Sequence, residues 1–165
     1  MFMKYTKEQL SLVGLRLALG WLFLWAFLDK LFGLGFGTLE SKSWLAGNSP
    51  TAGFLSHGAY GPFAFAFNAM AGSDIVDWLF MVGLLCIGLA LLLGIGMKIA
   101  TVTGSILVLL MWLALLPPKN NPFLDEHIIY FFALLALRYV NSGEYFGLGK
   151  WWNGTSLVRR FTWLQ

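Results

Sequence analysis

QLSLVGLRLALGWLFLWAFLDKL, from Gln9 to Leu31, is the stretch that decides the fold. Its only charged residue before the closing pair Asp29 and Lys30 is Arg16. A helix needs about 20 mostly apolar residues to cross the ~30 Å hydrocarbon core of a bilayer. Thr6 stands three residues before Gln9, which is the spacing of a capping box. The stretch therefore predicts a membrane-spanning helix over residues 9–31.

Three further stretches are also apolar and long enough to span a bilayer, over residues 74–93, 98–116 and 122–140. The last of them is predicted to start with Asn121 as its N-cap and Pro122 at the first helical position. With residues 9–31 they predict an all-α membrane protein, a four-transmembrane-helix bundle that forms one membrane domain over residues 1–165.

The composition excludes an ordinary soluble domain. Hydrophobic residues make up 58% of the chain and charged residues 12%, against about 25% charged in soluble proteins. The lipid bilayer is therefore the main predicted partner. The net charge of +3 is too small and scattered to indicate a nucleic acid. Cys86 is the only cysteine, so disulfides and thiolate clusters within one chain are excluded, and we expect it to be a small packing residue.

The distribution of cations predicts the topology. Lys and Arg accumulate on the cytoplasmic side of membrane proteins. Four spans place seven cations on the side of the termini and three on the other side, where six of the eight acids lie. The seven are Lys4, Lys7, Lys98, Arg138, Lys150, Arg159 and Arg160. We therefore expect a multi-pass protein of the plasma membrane with both termini, including the tail 141–165, in the cytoplasm.

The outer loop, residues 32–73, is too apolar for a free linker. Ser49–Pro50 has the pattern of an N-cap followed by a proline in the first turn. The segment PFAFAFNAMAG follows Gly61, and a helix there would place Phe63, Phe67 and Met70 on one face. Such a helix is too short to span, so the loop predicts short interfacial helices. They form either a lid over an apolar ligand or a cover that only shapes the bundle.

Charged residues at the start of the fourth span are the candidate catalytic group. Asp125 and Glu126 suit the positive end of a helix dipole, so capping explains them. His127 beside them can change charge near neutral pH and relay a proton to a ligand. His57 in the outer loop can join it in space. The spacing of these residues does not match a metal site, so we predict neither a metal nor a bound cofactor.

Other ionisable residues are candidates for substrate binding. Arg16 lies inside the first span, where a charge is costly and indicates a functional or paired group. It can snorkel, pair with an acid, or bind an anion or a quinone carbonyl. Lys30 suits the negative end of its helix, whereas Asp29 does not and is expected to have a partner. Asp74 and Asp77 are expected to cap the second span.

Several stretches resemble the DoxX/DoxD family of small membrane proteins. They are RLALGWLFLWAFLDKL, SPTAGFL, GIGMKIA, MWLALLPPKNNPFLDEHIIY and GLGKWWNGTSLVRRFTWL, with Arg16, Gly20 and Lys30 at matching places in the first. The resemblance implies a four-helix membrane protein. Some members form the DoxD subunit of thiosulfate:quinone oxidoreductase and others are associated with membrane redox complexes. No catalytic motif is carried over from the family.

Three functional hypotheses follow. The first is an integral membrane subunit of a quinone-linked redox system similar to thiosulfate:quinone oxidoreductase, with quinone as co-substrate and Asp125, His127 and Lys30 at its head group. The second is a non-catalytic anchor or scaffold for a redox partner subunit, docked through the tail or the outer loop. The third is a small-molecule carrier, which with four short helices requires a homo-oligomer.

Overall fold

The computed structural model describes residues 5–165, and this part of the chain is helical without strands. Lys4, one of the cations in the topology prediction, lies outside the described residues. The helices are α1 Lys7–Phe32, α2 Ala64–Asn68, α3 Asp74–Leu93, α4 Met97–Ala114, α5 Glu126–Tyr139, α6 Gly149–Asn153 and α7 Ser156–Arg160. Single helical turns lie at Glu40–Lys42, Phe54–Gly58, Ser142–Glu144 and Thr162–Leu164. The all-α prediction is confirmed for the described residues.

Three helices are long and apolar enough to cross a membrane, namely α1, α3 and α4. The capping box predicted at the start of α1 is present, since Thr6 and Gln9 bond each other's backbone N–H groups. The helix α5 has 14 residues and is about 21 Å long, which is less than a full hydrocarbon core. The membrane-protein class is therefore supported, whereas a fourth full-length spanning helix is not shown.

The predicted start of the fourth span was wrong. The Oδ1 atom of Asn121 accepts from the N–H groups of Phe123 and Leu124, so Asn121 closes a turn and does not cap a helix. The helix begins four residues later, and Asp125 is its N-cap. Both Asn and Asp can perform either role, and the local sequence does not distinguish them.

α1 and α3 pack closely as antiparallel neighbours. A Cβ atom at Gly88 would lie 2.7 Å from the backbone N of Leu24, and one at Gly20 would lie 3.0 Å from that of Leu92. Small residues permit this approach, which lets dispersion forces hold helices together in lipid. The pairing of 20 with 92 and of 24 with 88 shows that the two helices run in opposite directions.

α4 and α5 form the second antiparallel pair. Gly104 packs against Leu134 of α5 and Ile87 of α3, and Ala100 one turn earlier is buried. Ala100 and Gly104 thus form a small-residue packing face. Gly14 and Ala18 have the same spacing on α1, but they are exposed. The core between the two pairs consists of Leu19, Phe23, Leu84, Ile87, Leu91, Met97, Val108, Leu134 and Leu137.

The loop 32–73 folds over the outer end of the bundle. Leu55, Ala59 and Phe67 pack on Ala114 at the end of α4, and the N–H of Tyr60 donates to the carbonyl of Ala114 at 2.9 Å. The predicted short helices are present, but α2 has only five residues. Phe63, Phe67 and Met70 were predicted to share one face of this helix. Only Phe67 is buried, whereas Phe63 and Met70 are exposed.

The tail packs against the opposite end of the bundle, which is the inner end in the predicted topology. The N–H of Leu148 donates to the carbonyl of Leu93 at 2.8 Å, which joins the tail to the end of α3. The N–H of Phe146 donates to the hydroxyl of Tyr5 at 3.3 Å, which joins it to the chain just before α1. The described beginning and end of the chain therefore lie at one end of the bundle.

Candidate functional site

Asp125 organises the outer end of α5 and binds His127 with both carboxylate oxygens. One oxygen accepts from the backbone N–H of His127 at 3.0 Å, and the other lies 2.9 Å from Nδ1 of its ring. His127 is buried, with 8% of its surface exposed, whereas Glu126 between them is exposed. Asp125 is thus a helix cap and a partner of the imidazole at once.

The geometry at Nδ1 determines what the imidazole can do. An ionised carboxylate only accepts hydrogen bonds, so Nδ1 carries the proton of a neutral ring and Nε2 is the basic nitrogen. The ring of Tyr130 lies edge-on with its centroid 6.5 Å from that of His127. An imidazole held by a carboxylate in this way presents Nε2 as its proton-accepting atom.

His57 does not join this pair. It is exposed in the single turn Phe54–Gly58 of the outer loop, and within residues 5–165 no hydrogen bond or ion pair connects it to His127. Among the described residues, no three His, Cys, Asp or Glu side chains are grouped closely enough to hold a metal ion.

Asp29 has a partner, as expected, and the partner is backbone. Its two carboxylate oxygens accept from the N–H of Gly37 at 2.9 Å and that of Phe36 at 3.3 Å. These bonds fold the loop back over the end of α1. Lys30 is half-buried, with its Nζ 6.0 Å from the centroid of the Phe80 ring. The buried Asp29 therefore fastens the first turn of the outer loop.

Asp77 holds a second part of the outer loop to α3 through hydrogen bonds. It therefore does not have its predicted role as a helix cap. Its Oδ1 atom accepts from the hydroxyl of Ser49 at 2.9 Å and from the hydroxyl of Thr51. Ser49 in turn accepts from the N–H of Ala52 at 2.9 Å and closes a turn there, whereas the N-cap of the helical turn Phe54–Gly58 is Gly53 and not Ser49 as predicted. Asp74, the expected companion of Asp77, is exposed. The sequence indicated Ser49 and Asp77 as capping groups, but it did not indicate that they bond each other.

Arg16 is the most deeply buried charged side chain of the described residues, with no exposed surface. Its guanidinium donates to the carbonyl of Leu91 at 3.1 Å, in the last turn of α3. It also donates to the carbonyls of Tyr145 at 3.2 Å and Phe146 at 2.9 Å, in the tail. Its Nε has no hydrogen-bond partner among the described residues. Arg16 thus joins three separate segments at the inner end.

Gly94 and Gly147 lie against this guanidinium, and Gly143 and Gly149 pack beside Gly94, so the backbone can approach it closely. A Cβ atom at Gly94 would overlap an Arg16 nitrogen, and one at Gly147 would lie 3.0 Å from it. Gly143 and Gly149 are equally confined, since a Cβ at either would clash with the carbonyl of Gly94 or Gly143. The sequence predicted a costly intramembrane charge but not these partners, because the glycines are distant from Arg16 along the chain.

The candidate residues therefore lie at opposite ends of the bundle. Asp125 and His127 lie at its outer end, Asp29 and Lys30 lie where α1 meets the outer loop, and Arg16 lies at the inner end. The structure brings only Asp125 and His127 into direct contact, and the substrate-binding roles of the others stay predictions.

A groove of about 540 Å³ opens between α3 and α4 on the outside of the bundle. None of the predicted site residues lines it. Its walls are almost entirely apolar: Trp78, Leu79, Val82, Gly83, Cys86, Ile87, Ala90, Ile95, Gly96, Ile99, Ala100, Thr103 and Trp152. Cys86 is exposed in this groove and is not the packed core residue that was expected.

Comparison of this chain with protein-family models, with curated proteins and with solved structures found no match. The resemblance to the DoxX/DoxD family therefore stays a prediction from the sequence.

Replacing Arg16 should weaken the attachment of the tail to α1 and α3 at the inner end. In Arg16→Met, three carbonyls lose their charged donor, and we expect the free energy of unfolding to fall by about 3 kcal/mol. Hydrogen exchange of the amides of residues 142–149 should rise more than that of α4. The control Arg159→Met removes the same charge from an exposed position and should leave both measurements unchanged. Equal behaviour of the two variants would contradict a joining role for Arg16.

Replacing Asp77 should release the middle of the outer loop. Asp77→Ala removes the acceptor of two hydroxyl groups, and we expect a loss of about 2 kcal/mol together with faster hydrogen exchange over residues 49–58. Asp74→Ala is the matched control, because Asp74 lies on the same helical turn but is exposed. If exchange in the loop is the same in both variants, the loop is held by its apolar contacts alone.

Proposed function

We propose that this protein is an integral membrane subunit of a quinone-linked redox system, and that His127 and Asp125 transfer protons at the outer end of the bundle. The observation that carries the proposal is the buried pair itself, in which Asp125 binds Nδ1 of His127 at 2.9 Å and leaves Nε2 as the basic nitrogen. A carboxylate that orients an imidazole is a recurrent arrangement for proton transfer.

The proposed chemistry is the reduction of a quinone to a quinol. Two electrons and two protons are added, so both oxygens of the quinone end as hydroxyl groups. The two electrons come from two thiosulfate ions, which couple through a new S–S bond to form tetrathionate, and they reach the quinone directly or through a redox partner subunit. The protons come from water at the membrane surface, and His127 passes them on at Nε2. Lys30 would attract the head group or the oxyanion, with Asp29 and Glu126 as further predicted contacts. Arg16 lies at the other end of the bundle and His57 is not bonded to the pair, so both lie outside this proposed site.

A non-catalytic anchor is the second candidate, and a specific observation favours it. Arg16, Asp29 and Asp77 are all buried, and each is bonded to backbone or hydroxyl groups of the chain itself. These polar groups therefore hold loops and the tail to the bundle. In this candidate function His127 is one more such group, and the folded tail or outer loop docks a redox partner.

We further propose that the chain crosses the plasma membrane four times, with both termini in the cytoplasm. The contact between Tyr5 and Phe146, near the two ends of the chain, supports an even number of crossings. α5 also accompanies α4 along most of its length. The indole of Trp112 donates to the carbonyl of Phe123 at 3.1 Å near one end, and Gly104 meets Leu134 further along. Bilayer thinning is the usual accommodation for a short helix.

Substitution of His127 tests the catalytic proposal. In lipid nanodiscs, with thiosulfate as donor and a soluble quinone analogue as acceptor, His127→Ala should lower the rate of quinone reduction at least 100-fold, because general acid–base groups contribute about that much. Absorbance of the quinone is the measurement. His57→Ala is the matched control and should retain the wild-type rate. Unchanged thermal unfolding of His127→Ala would show that the loss is chemical.

Wild-type protein that is folded but inactive in this assay would favour the anchor function. The anchor function would also be favoured if His127→Ala and Asp125→Ala lost stability and activity in the same proportion, because a helix cap affects activity only through folding.

Reporter fusions test the topology. A green fluorescent protein fused after Gln165 should fluoresce and an alkaline phosphatase at the same point should be inactive, because the first folds in the cytoplasm and the second outside it. Alkaline phosphatase inserted after Gly47, an exposed loop glycine, should be active. Activity of the phosphatase at both positions would mean an odd number of crossings.

A further inference from the structure

We propose that the groove between α3 and α4 binds one acyl chain of an anionic phospholipid, whose phosphate is held by Arg159 and Arg160 of the tail. This inference is independent of the redox proposal. It concerns a site that none of the predicted catalytic residues lines.

The groove has the size and chemistry of a lipid-chain site. Its volume of about 540 Å³ falls within the range of roughly 300–1,000 Å³ that is typical of ligand sites. It is lined by small side chains at helical spacing, with Gly83, Cys86 and Ala90 on α3 facing Gly96 and Ala100 at the start of α4. Small side chains leave a channel at the helix surface, which a flexible hydrocarbon chain can fill.

Trp152 connects the inner end of the groove to the tail. It lines the groove, and its Nε1 donates to the carbonyl of Leu164 at 2.7 Å. The tail is held here by Lys98, whose Nζ donates to the carbonyl of Thr162 at 3.1 Å. The single turn Thr162–Leu164 packs on α7, which ends with Arg159 and Arg160. The two arginines therefore come directly before the chain segment that Trp152 and Lys98 bind beside the groove.

The positive charge of the tail favours an anionic lipid head group. Arg159 and Arg160 are exposed, and within residues 5–165 neither forms an ion pair with an acid. Trp151, Leu157 and Trp163 of the same tail are exposed as well, which is typical of a segment that lies at the membrane interface. Cations at this depth meet lipid phosphates, and each contributes favourably to binding an anionic membrane lipid. An anionic phospholipid satisfies both the apolar groove and the two cations.

Native mass spectrometry of the full-length protein tests the acyl-chain half of the proposal. The probes are phosphatidylglycerol and phosphatidylcholine with identical acyl chains, added to the protein in detergent. We expect wild type to retain phosphatidylglycerol at least tenfold better than phosphatidylcholine. Gly83→Leu should abolish this retention because its side chain enters the groove. Gly14→Leu on α1 is the matched control and should leave this retention unchanged. The two substitutions are comparable because a Cβ atom at either glycine has no other atom within 4 Å.

The double variant Arg159→Gln/Arg160→Gln tests the head-group half. Losing two cations near a lipid phosphate should weaken phosphatidylglycerol retention about 30-fold and that of phosphatidylcholine much less, because the choline cation already offsets the phosphate charge of that lipid. Equal retention of the two lipids by wild type would overturn the head-group assignment. Equal loss in Gly83→Leu and Gly14→Leu would overturn the location.

Cys86 provides a second readout in the same molecule, because it is the only cysteine and lines the groove. Labelling of wild type by an uncharged maleimide should slow at least fivefold as phosphatidylglycerol is added. The variant Cys86→Ala/Ala18→Cys carries an exposed thiol on α1 and should show no such protection. Protection that depends on protein concentration in the absence of lipid would mean that a second copy of the chain fills the groove instead.

Discussion

The guanidinium of Arg16 is the interaction on which the inner half of the structure depends. A charge inside a membrane bundle is costly unless it is hydrogen-bonded, and here three backbone carbonyls supply the bonds. Two of these carbonyls belong to the tail and one to the last turn of α3. Because the end of a helix has carbonyls without partners, the same bonds also stabilise the end of α3. One side chain thus determines where α1, α3 and the tail meet.

In the outer half of the structure, carboxylates take the place of the arginine as the charged groups that hold separate segments together. Asp29, Asp77 and Asp125 each accept two hydrogen bonds from loop backbone, loop hydroxyls or the start of a helix. In a bundle surrounded by lipid, the hydrophobic effect does little to hold a loop to the helix ends, so polar contacts become the specific ones. The pair of Asp125 and His127 belongs to this set by position, but it differs because an imidazole can exchange its proton.

Much of the architecture could be predicted because it depends on local properties. Apolar length identified α1, α3 and α4, and the capping box was recognised from a spacing of three residues. α5 was placed four residues too early because Asn121 and Asp125 are both good caps. Between them, the carbonyl of Phe123 accepts from the indole of Trp112 on α4, a contact that a local pattern does not contain. The sequence also indicated that Asp29 and Arg16 needed partners without showing which.

By itself, then, the sequence determined that this chain is an apolar, helical membrane protein with its unusual charges at Arg16, Asp29, Asp77 and the Asp125–His127 segment. Composition and helical length are sums over neighbouring residues, so they need no knowledge of the fold. Only the tertiary structure decided what those charges bind, which of the two small-residue faces packs, and that α3 and α4 leave a groove between them. Each of these depends on residues far apart in the chain being brought within a few ångströms, where hydrogen bonds and dispersion forces act.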